Sequence, residues 1–329
     1  MDTQGQGRFG VAQKLMIDAD PGIGDALAVI LALLDPQLDV VALTAVRGCV
    51  TGLQAGRNLQ MLLETLDPPK WPRLGMAEPL SDQEEEPWAG AVAARPYCEV
   101  HGRHGLGDWT PQTADLHHPH EAAKVLCDFV RMHPGEVQLL CLGPLTNVAL
   151  AIKRDPDFLS KLGGLVCLVG TYEAPGDVSP TASLNSFLDP EAARRVLTSP
   201  IRKTIVPLDA ARSIHLEFEG LDRLAFSDKC PTGRLLQSLL PYTLRSHHQL
   251  LGLEAAPLQE LAALAVVARP ELFERSPGTV DVELEGRLTR GMTVFDRRGQ
   301  QIQPNVDVVR RIDAHGVWDY LSTMLRDYL

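Results

Sequence analysis

Residues 14–26 read KLMIDADPGIGDA, and this segment does more than any other to set the architecture of the chain. Its first four residues form a mostly apolar run typical of a buried strand, and a Pro-Gly pair then turns the chain. From Asp25 onward the apolar residues recur at helical spacing, which predicts a helix with a carboxylate in its first turn, where negative charge is favourable. The segment is therefore predicted to be a strand-to-helix junction.

Three carboxylates, Asp18, Asp20 and Asp25, gather at this junction. Because side chains two residues apart on a strand face the same way, Asp18 and Asp20 are expected on one face. Carboxylates packed this tightly repel one another unless a cation lies between them, and oxygen ligands of this kind suit calcium or magnesium better than zinc. The alternative is that Asp18 caps a turn and Asp25 caps the helix without a metal. Three aspartates at the carboxyl end of one strand favour the metal site over the capping roles.

Composition narrows the class of protein. The chain has 329 residues, of which 45% are hydrophobic and 22% charged, as is usual for a globular protein. A net charge of −11 and a pI near 5.4 argue against nucleic acid or an anionic membrane as the main partner. The first ten residues lack the apolar centre of a signal peptide, and no apolar run is long enough for a membrane span. The six cysteines show no CxxC spacing, so we expect reduced thiols and a cytoplasmic location.

Strand-like and helix-like segments alternate through the first two thirds of the chain. This alternation predicts an α/β fold with a mostly parallel central sheet and helices on both faces, in which ligands bind at the carboxyl ends of the strands. The predicted strands are 14–17, 38–46, 137–142, 165–169 and 205–208, and the predicted helices are 53–66, 147–154 and 190–197.

The remaining segments are assigned by their composition. Residues 280–288 alternate as a strand, and 292–295 are predicted to pair with them in a C-terminal β-hairpin region. The acidic stretch 81–96 and the histidines at 117, 118 and 120 are predicted to be exposed loop rather than metal site. Residues 1–13 are predicted to be a polar tail, and 14–329 a single domain.

Four further segments occur in a fixed order with the first motif. They are GPLTNVAL at 143–150, GDVSPTASLN at 176–185 followed by DPEAA at 189–193, APLQELA at 256–262, and GRLTRGMTV at 286–294. Together with the opening segment, this succession resembles the inosine/uridine-preferring nucleoside hydrolase family, whose first motif is D-x-D-P-G-x-D-D. The resemblance implies the family's α/β fold, a bound calcium ion (Ca²⁺), cleavage of the N-glycosidic bond of a nucleoside, and a homo-oligomer.

The resemblance also implies a set of metal ligands. By position these are the carboxylates of Asp20, Asp25 and Glu260 and the backbone carbonyl of Thr146, with Asp18 standing behind and orienting them. Glu260 replaces the family's aspartate with a longer carboxylate, which the flexible coordination of calcium accommodates. In this chemistry a carboxylate takes a proton from the water that attacks the anomeric carbon, and Asp20 is the expected base.

On the substrate side the sequence departs from the family pattern. Gly24 stands where the family has an aspartate expected on the ribose, and a sugar without the 2-hydroxyl, or a ligand with its own carboxylate or phosphate, is expected to suit such a pocket better. The candidate substrate-binding residues include Asn185, which matches the family, and His247. The others are Asp177, Ser183, Cys49 and Gln259, which stand where the family has asparagine, glutamate, asparagine and histidine.

Some of these residues also have structural interpretations. Cys49 could instead be an inert, partly buried thiol. His247 could protonate a departing base, since histidine ordinarily titrates near neutral pH, or it could lie on an exposed helix face.

Three functions compete. The first is a divergent calcium-dependent nucleoside hydrolase with an altered substrate range or low activity, whose partner is a nucleoside-like small molecule. The second is a catalytically inactive homologue acting as a metal-stabilised binding or scaffold protein. The third, magnesium-dependent phosphoryl transfer of the haloacid dehalogenase kind, also begins with D-x-D after a strand. It is the least favoured, because Pro21 and Gly22 do not supply the hydroxylated residue it needs.

Overall fold

A computed structural model describes residues 12–77, 95–109, 120–224, 226–298 and 303–328. The first eleven residues of the predicted tail, most of the predicted acidic loop, and the histidines at 117 and 118 lie outside the described residues. His120, predicted to lie in the same loop, instead forms a two-residue strand with Glu121 at the edge of the sheet, so that prediction is wrong.

The centre of the protein is a nine-stranded sheet in which every pairing is parallel except the one at the β10 edge. This confirms the predicted α/β architecture. In spatial order the strands are β10 (Phe273–Gly278), β13 (Val306–Ile312), β7 (Lys203–Val206), β6 (Gly164–Leu168), β5 (Gln138–Cys141), β1 (Gln13–Ala19), β2 (Leu38–Ala45), β3 (Arg73–Met76) and β4 (His120–Glu121). Two small antiparallel pairs are β8 (His215–Leu216) with β9 (Ala256–Pro257), and β11 (Val280–Val282) with β12 (Thr293–Phe295).

Helices cover both faces of this sheet. Leu15 and Ile17 of β1 pack into one apolar cluster, whereas Met16 packs into the other, so the strand is buried on both sides. None of the described helices is both long and apolar enough to cross a membrane. The helices are α1 (Ile23–Leu34), α2 (Gly52–Leu66), α3 (Arg95–Glu99), α4 (Ala122–Met132), α5 (Thr146–Arg154), α6 (Leu184–Leu188), α7 (Pro190–Leu197), α8 (Leu208–Ala211), α9 (Phe218–Asp222), α10 (Pro231–Ser246), α11 (Gln259–Ala268) and α12 (Ala314–Leu325).

Several strand boundaries differ from the prediction, including those of β1 and of the C-terminal hairpin. Strand β1 continues to Ala19, because Asp18 still pairs with Thr44 of β2 and Cys141 of β5. The predicted hairpin forms, but its first strand ends at Val282 instead of residue 288. There the Glu283 carboxylate accepts backbone N–H groups from two of the next three residues and turns the chain.

The functional edge of the sheet follows from the chain path. From β1 the sheet extends to β2, β3 and β4 on one side and to β5, β6 and β7 on the other. The strand order therefore reverses beside β1, and an α/β sheet opens a crevice at the carboxyl ends of the strands at such a point. Asp20 directly follows β1 at this crevice.

The Asn147 side chain, on α5, connects this helix to β1 and β2 by hydrogen bonds. Replacing it tests this arrangement. Its amide donates to Asp18 Oδ1 at 2.8 Å and to the Ala45 carbonyl at 2.8 Å, and all three residues are buried. Replacing Asn147 with Ala leaves both acceptors short of a donor, so we expect the free energy of unfolding to fall by about 1–3 kcal/mol in urea titrations. The control is Gln249→Ala, an exposed amide. Equal stability of the two variants would contradict this role.

Candidate active site

A cavity of about 460 Å³, counting the space open to solvent, lies at the carboxyl edge of the sheet. Side chains from the ends of β1, β2 and β6 and from the first turns of α1, α6 and α11 line it. The lining residues are Asp20, Asp25, Cys49, Tyr97, His101, Leu142, Leu168, Val169, Asp177, Ser183, Leu184, Asn185, Leu208, Gln259 and Glu260.

Asp20 is held in place by backbone on two sides. Its Oδ2 accepts the Cys49 N–H at 2.7 Å. A Cβ at Gly48 would lie 1.8 Å from that oxygen, and a Cβ at Gly143 would lie 2.5 Å from Oδ1. Both glycines are therefore needed because the chain passes directly against this carboxylate.

Asp25 and Glu260 complete an acidic cluster with Asp20. Asp25 accepts the Gly22 N–H through Oδ2 at 3.3 Å, whereas its buried Oδ1 has no hydrogen-bond partner. Burial raises the pKa of Asp20 to about 6 and, together with the negative charges of Asp20 and Asp177, that of Glu260 to about 7. Burial first, and then the charges of Asp20 and Glu260, raise the pKa of Asp25 well above its usual range.

Asp18 lies behind this cluster and does not line the cavity. Its Oδ1 accepts the Thr44 hydroxyl at 2.5 Å and the Asn147 amide at 2.8 Å. Its buried Oδ2 has no hydrogen-bond partner, and burial raises its pKa to about 7. Thr146 opens α5, and its hydroxyl donates to Asp189 at 2.6 Å.

The cluster has the donor chemistry of a site for a hard divalent cation. In the described part of the chain, no three His, Cys, Asp or Glu side chains stand close enough together to enclose an ion. The unpartnered Asp25 Oδ1, and the charges of Asp20 and Glu260 that help raise the pKa of Asp25, nevertheless show negative charge that the protein itself does not neutralise. A cation would provide a partner for the Asp25 oxygen and would offset the negative charge. Carboxylate oxygens are the ligands that calcium and magnesium prefer.

Three predicted substrate residues lie on the opposite wall. Asn185 donates both amide hydrogens to backbone carbonyls, those of Leu142 at 2.6 Å and Leu168 at 2.8 Å, so its Oδ1 is the group left to accept from a ligand. Asp177 accepts two backbone N–H groups through Oδ1 alone, and burial raises its pKa to about 6. Ser183 caps α6 and accepts the Gly170 N–H at 2.7 Å, which is a structural use of its hydroxyl.

The remaining predicted residues differ in their position. Gln259 lines the cavity and donates to the Tyr97 hydroxyl at 3.2 Å. Cys49 also lines it, but a hydrogen bond with Cys98 and burial raise its thiol pKa well above the usual range, as expected for an inert thiol. His247 does not line the cavity. It is 4% exposed, so the alternative of an exposed helix face is wrong.

Tyr97 and His101 are functional candidates that the sequence prediction missed. His101 Nδ1 accepts the Ile23 N–H at 3.1 Å at the start of α1, so its Nε2 carries the hydrogen. Burial, with the nearby His247, lowers the pKa of His101 to about 3, and burial raises that of Tyr97, so both rings stay neutral. The sequence signal was His101 beside Gly102 at the head of a glycine-rich loop, whereas His104 in that loop is exposed.

Comparison with known proteins identifies relatives of this chain. The inosine-uridine preferring nucleoside hydrolase family matches residues 15–319. Uridine nucleosidase 1 of Arabidopsis thaliana is 34% identical over 326 residues, which cover 96% of this chain and 94% of the relative. The pyrimidine-specific ribonucleoside hydrolase RihA of Escherichia coli is 32% identical over 324 residues, covering 97% and 100%.

Solved structures agree in fold. A plant nucleoside hydrolase superposes with a TM-score of 0.82 at 29% identity, covering 95% of this chain and 98% of that one. An inosine-guanosine nucleoside hydrolase gives a TM-score of 0.82 at 27% identity, covering 97% and 100%.

The glycine support of Asp20 can be tested directly. In Gly48→Ala the new Cβ would meet the Asp20 carboxylate and its Cβ, so we expect the aspartate to move and the free energy of unfolding to fall by about 1–3 kcal/mol. Urea denaturation measures the loss, and a crystal structure shows the displacement. The matched control is Gly220→Ala, where the nearest atom would lie 3.6 Å away. An unmoved Asp20 with stability equal to the control would refute the steric argument.

Proposed function

Because the chain belongs to the inosine-uridine preferring nucleoside hydrolase family, we propose that it hydrolyses the N-glycosidic bond of a nucleoside and depends on calcium. The observation that carries this proposal is that Asp20, Asp25 and Glu260 share one cavity with Asn185. The acidic groups lie on one wall and a sugar-accepting amide oxygen on the other. The homo-oligomer, the single domain and the cytoplasmic location expected from the sequence belong to the same proposal.

Four groups would hold the ion. They are the carboxylates of Asp20, Asp25 and Glu260 and the carbonyl of Thr146, with Asp18 fixed behind them by Thr44 and Asn147. When bound, calcium offsets the negative charge of the cluster and favours ionisation of a nearby water molecule.

Asp20 acts as the base. Its carboxylate takes a proton from a water molecule whose oxygen bonds to the anomeric carbon, while the bond from that carbon to the base nitrogen breaks. The base leaves with the bonding electrons and is protonated from the medium. Positive charge builds on the sugar as this bond lengthens, and the acidic wall stabilises it because those charges are already in place.

The neutral groups around the cavity orient the substrate. Asn185 Oδ1 and the free oxygen of Asp177 accept sugar hydroxyls. His101 Nε2 and the Tyr97 hydroxyl serve as neutral donors, since neither ring ionises near pH 7. Ser183 acts by capping α6, and Asn185 is the second residue of that helix.

The substitutions at Cys49, Ser183 and Gln259 support a substrate range that differs from the family pattern. Uridine is the first substrate to test, since the Arabidopsis relative is a uridine nucleosidase.

The proposal is tested by release of free base from uridine, inosine and their 2′-deoxy analogues, with calcium and with a chelator. We expect calcium-dependent turnover by the wild-type protein. Asp20→Asn should lower kcat/KM by about 10²–10⁴-fold, because the base is lost while the size of the side chain is kept. Asp157→Asn, at an exposed carboxylate, serves as the control.

Absence of turnover in a protein that binds calcium by calorimetry would contradict the hydrolase and favour a metal-stabilised binding protein. Turnover that persists in the chelator would contradict the calcium dependence alone.

A further inference from the structure

The Glu260 carboxylate occupies the space that a side chain at position 24 would fill. A Cβ built on Gly24 would lie 2.0 Å from Glu260 Oε2, 2.6 Å from Cδ and 3.2 Å from Oε1. The two residues lie on different helices, α1 and α11, which pack against each other. The end of the Glu260 side chain therefore takes the position that Gly24 leaves empty.

The backbone does not require glycine at this position. Gly24 is the second residue of α1, and its φ is not in the left-handed region. A glycine inside a helix is about 1 kcal/mol less favourable than alanine, so its presence needs a reason in the surroundings. The three heavy atoms nearest to a Cβ built on Gly24 all belong to the Glu260 carboxyl group. Gly24 is therefore explained by the space that the longer carboxylate needs.

Glu260 also differs from the other acidic residues in what it faces. All three residues line the cavity, but Asp20 and Asp25 are buried, whereas Glu260 is partly exposed. The negative charges of both Asp20 and Asp177, which also line the cavity, act on its carboxylate. It therefore reaches from the acidic cluster toward the ligand space.

We propose that Glu260 contacts the substrate directly, with its carboxylate over Gly24 accepting a hydrogen bond from the sugar hydroxyl next to the anomeric carbon. The carboxylate that the resemblance places on the side chain of residue 24 is supplied here from α11. This inference rests on the proposed function and narrows its substrate class.

The substrate class is a neutral ribonucleoside. A deoxy sugar would leave the Glu260 oxygen without its donor, and a buried acceptor without a partner is unfavourable. A ligand with its own phosphate or carboxylate would enter a cavity already lined by Asp20, Asp25, Asp177 and Glu260, where like charges repel. Gly24 alone predicts a sugar without the 2-hydroxyl, whereas the position of Glu260 favours ribose over deoxyribose.

The experiment compares the wild-type protein with Glu260→Asp and with the exchange variant Gly24→Asp/Glu260→Asp. Shortening Glu260 should keep one bound calcium by calorimetry but lower kcat/KM for uridine about 10- to 100-fold, with little change for 2′-deoxyuridine. The exchange variant should recover most of the ribose preference, because the carboxylate returns to the same space from α1. Glu254→Asp, whose side chain is 86% exposed, is the matched control.

A further variant protects the test against misfolding of the exchange variant. Gly24→Ala adds only a methyl group to a helix, and it should push the flexible end of Glu260 aside and lower the ribose preference as Glu260→Asp does. Circular dichroism confirms folding of each variant.

The two proposals can fail separately. If uridine is hydrolysed but Glu260→Asp keeps the wild-type ratio of uridine to 2′-deoxyuridine, the role of Glu260 is refuted and the hydrolase stands. If no nucleoside is hydrolysed, the hydrolase is refuted, and calorimetry with ribose and 2-deoxyribose decides the contact. Ribose binding that is absent, or a preference for ribose that survives Glu260→Asp, overturns the inference. A preference lost in Glu260→Asp and restored by the exchange supports it.

Discussion

The organisation of this protein depends on burying several carboxylates at one edge of a sheet. Each buried negative charge is unfavourable unless hydrogen-bond donors or a cation offset it. Thr44 from β2, Asn147 from α5 and the Cys49 backbone after β2 supply donors to Asp18 and Asp20. Because these donors come from separate elements, satisfying the carboxylates fixes β2, α5 and the following loops relative to β1. The need to offset these buried charges therefore determines the geometry of the cavity.

Protein donors satisfy only some of these carboxylate oxygens, and the buried Asp18 Oδ2 has none. Asp18 Oδ1 and Asp20 Oδ2 are satisfied by protein, whereas Asp25 Oδ1 has no partner and Glu260 extends into the cavity. The opposite wall follows the same rule, since Asn185 donates both hydrogens to backbone and leaves only its oxygen. The cavity therefore presents mostly acceptors, with neutral donors from His101 and Tyr97. Such a surface suits a cation together with a neutral ligand rich in hydroxyl groups.

The sequence predicted what local pattern determines. Apolar periodicity and the Asp-Ala-Asp-Pro-Gly junction predicted the central strands and the position of Asp20 and Asp25, since these depend on neighbouring residues. It did not predict Tyr97 and His101, because a segment distant in the chain brings them to the cavity. Nor did it predict the burial of His247, which tertiary packing around α10 imposes on a residue in a polar stretch. The contact of Gly24 with Glu260 joins two helices far apart in sequence, so neither residue alone indicates it.

Departures from a family pattern gain meaning only from what surrounds them. At Cys49 the backbone N–H still supports Asp20, so that part of the position's contribution does not depend on its side chain. Gln259 still provides a donor, which it directs to Tyr97. The Ser183 hydroxyl caps α6 and accepts the Gly170 N–H, so this side chain has a structural role instead of a ligand-binding one. At Gly24 the lost side chain is matched by a longer one on the facing helix. The four changes thus leave the support of Asp20 in place, and under the proposed function they favour an altered substrate pocket over the loss of one.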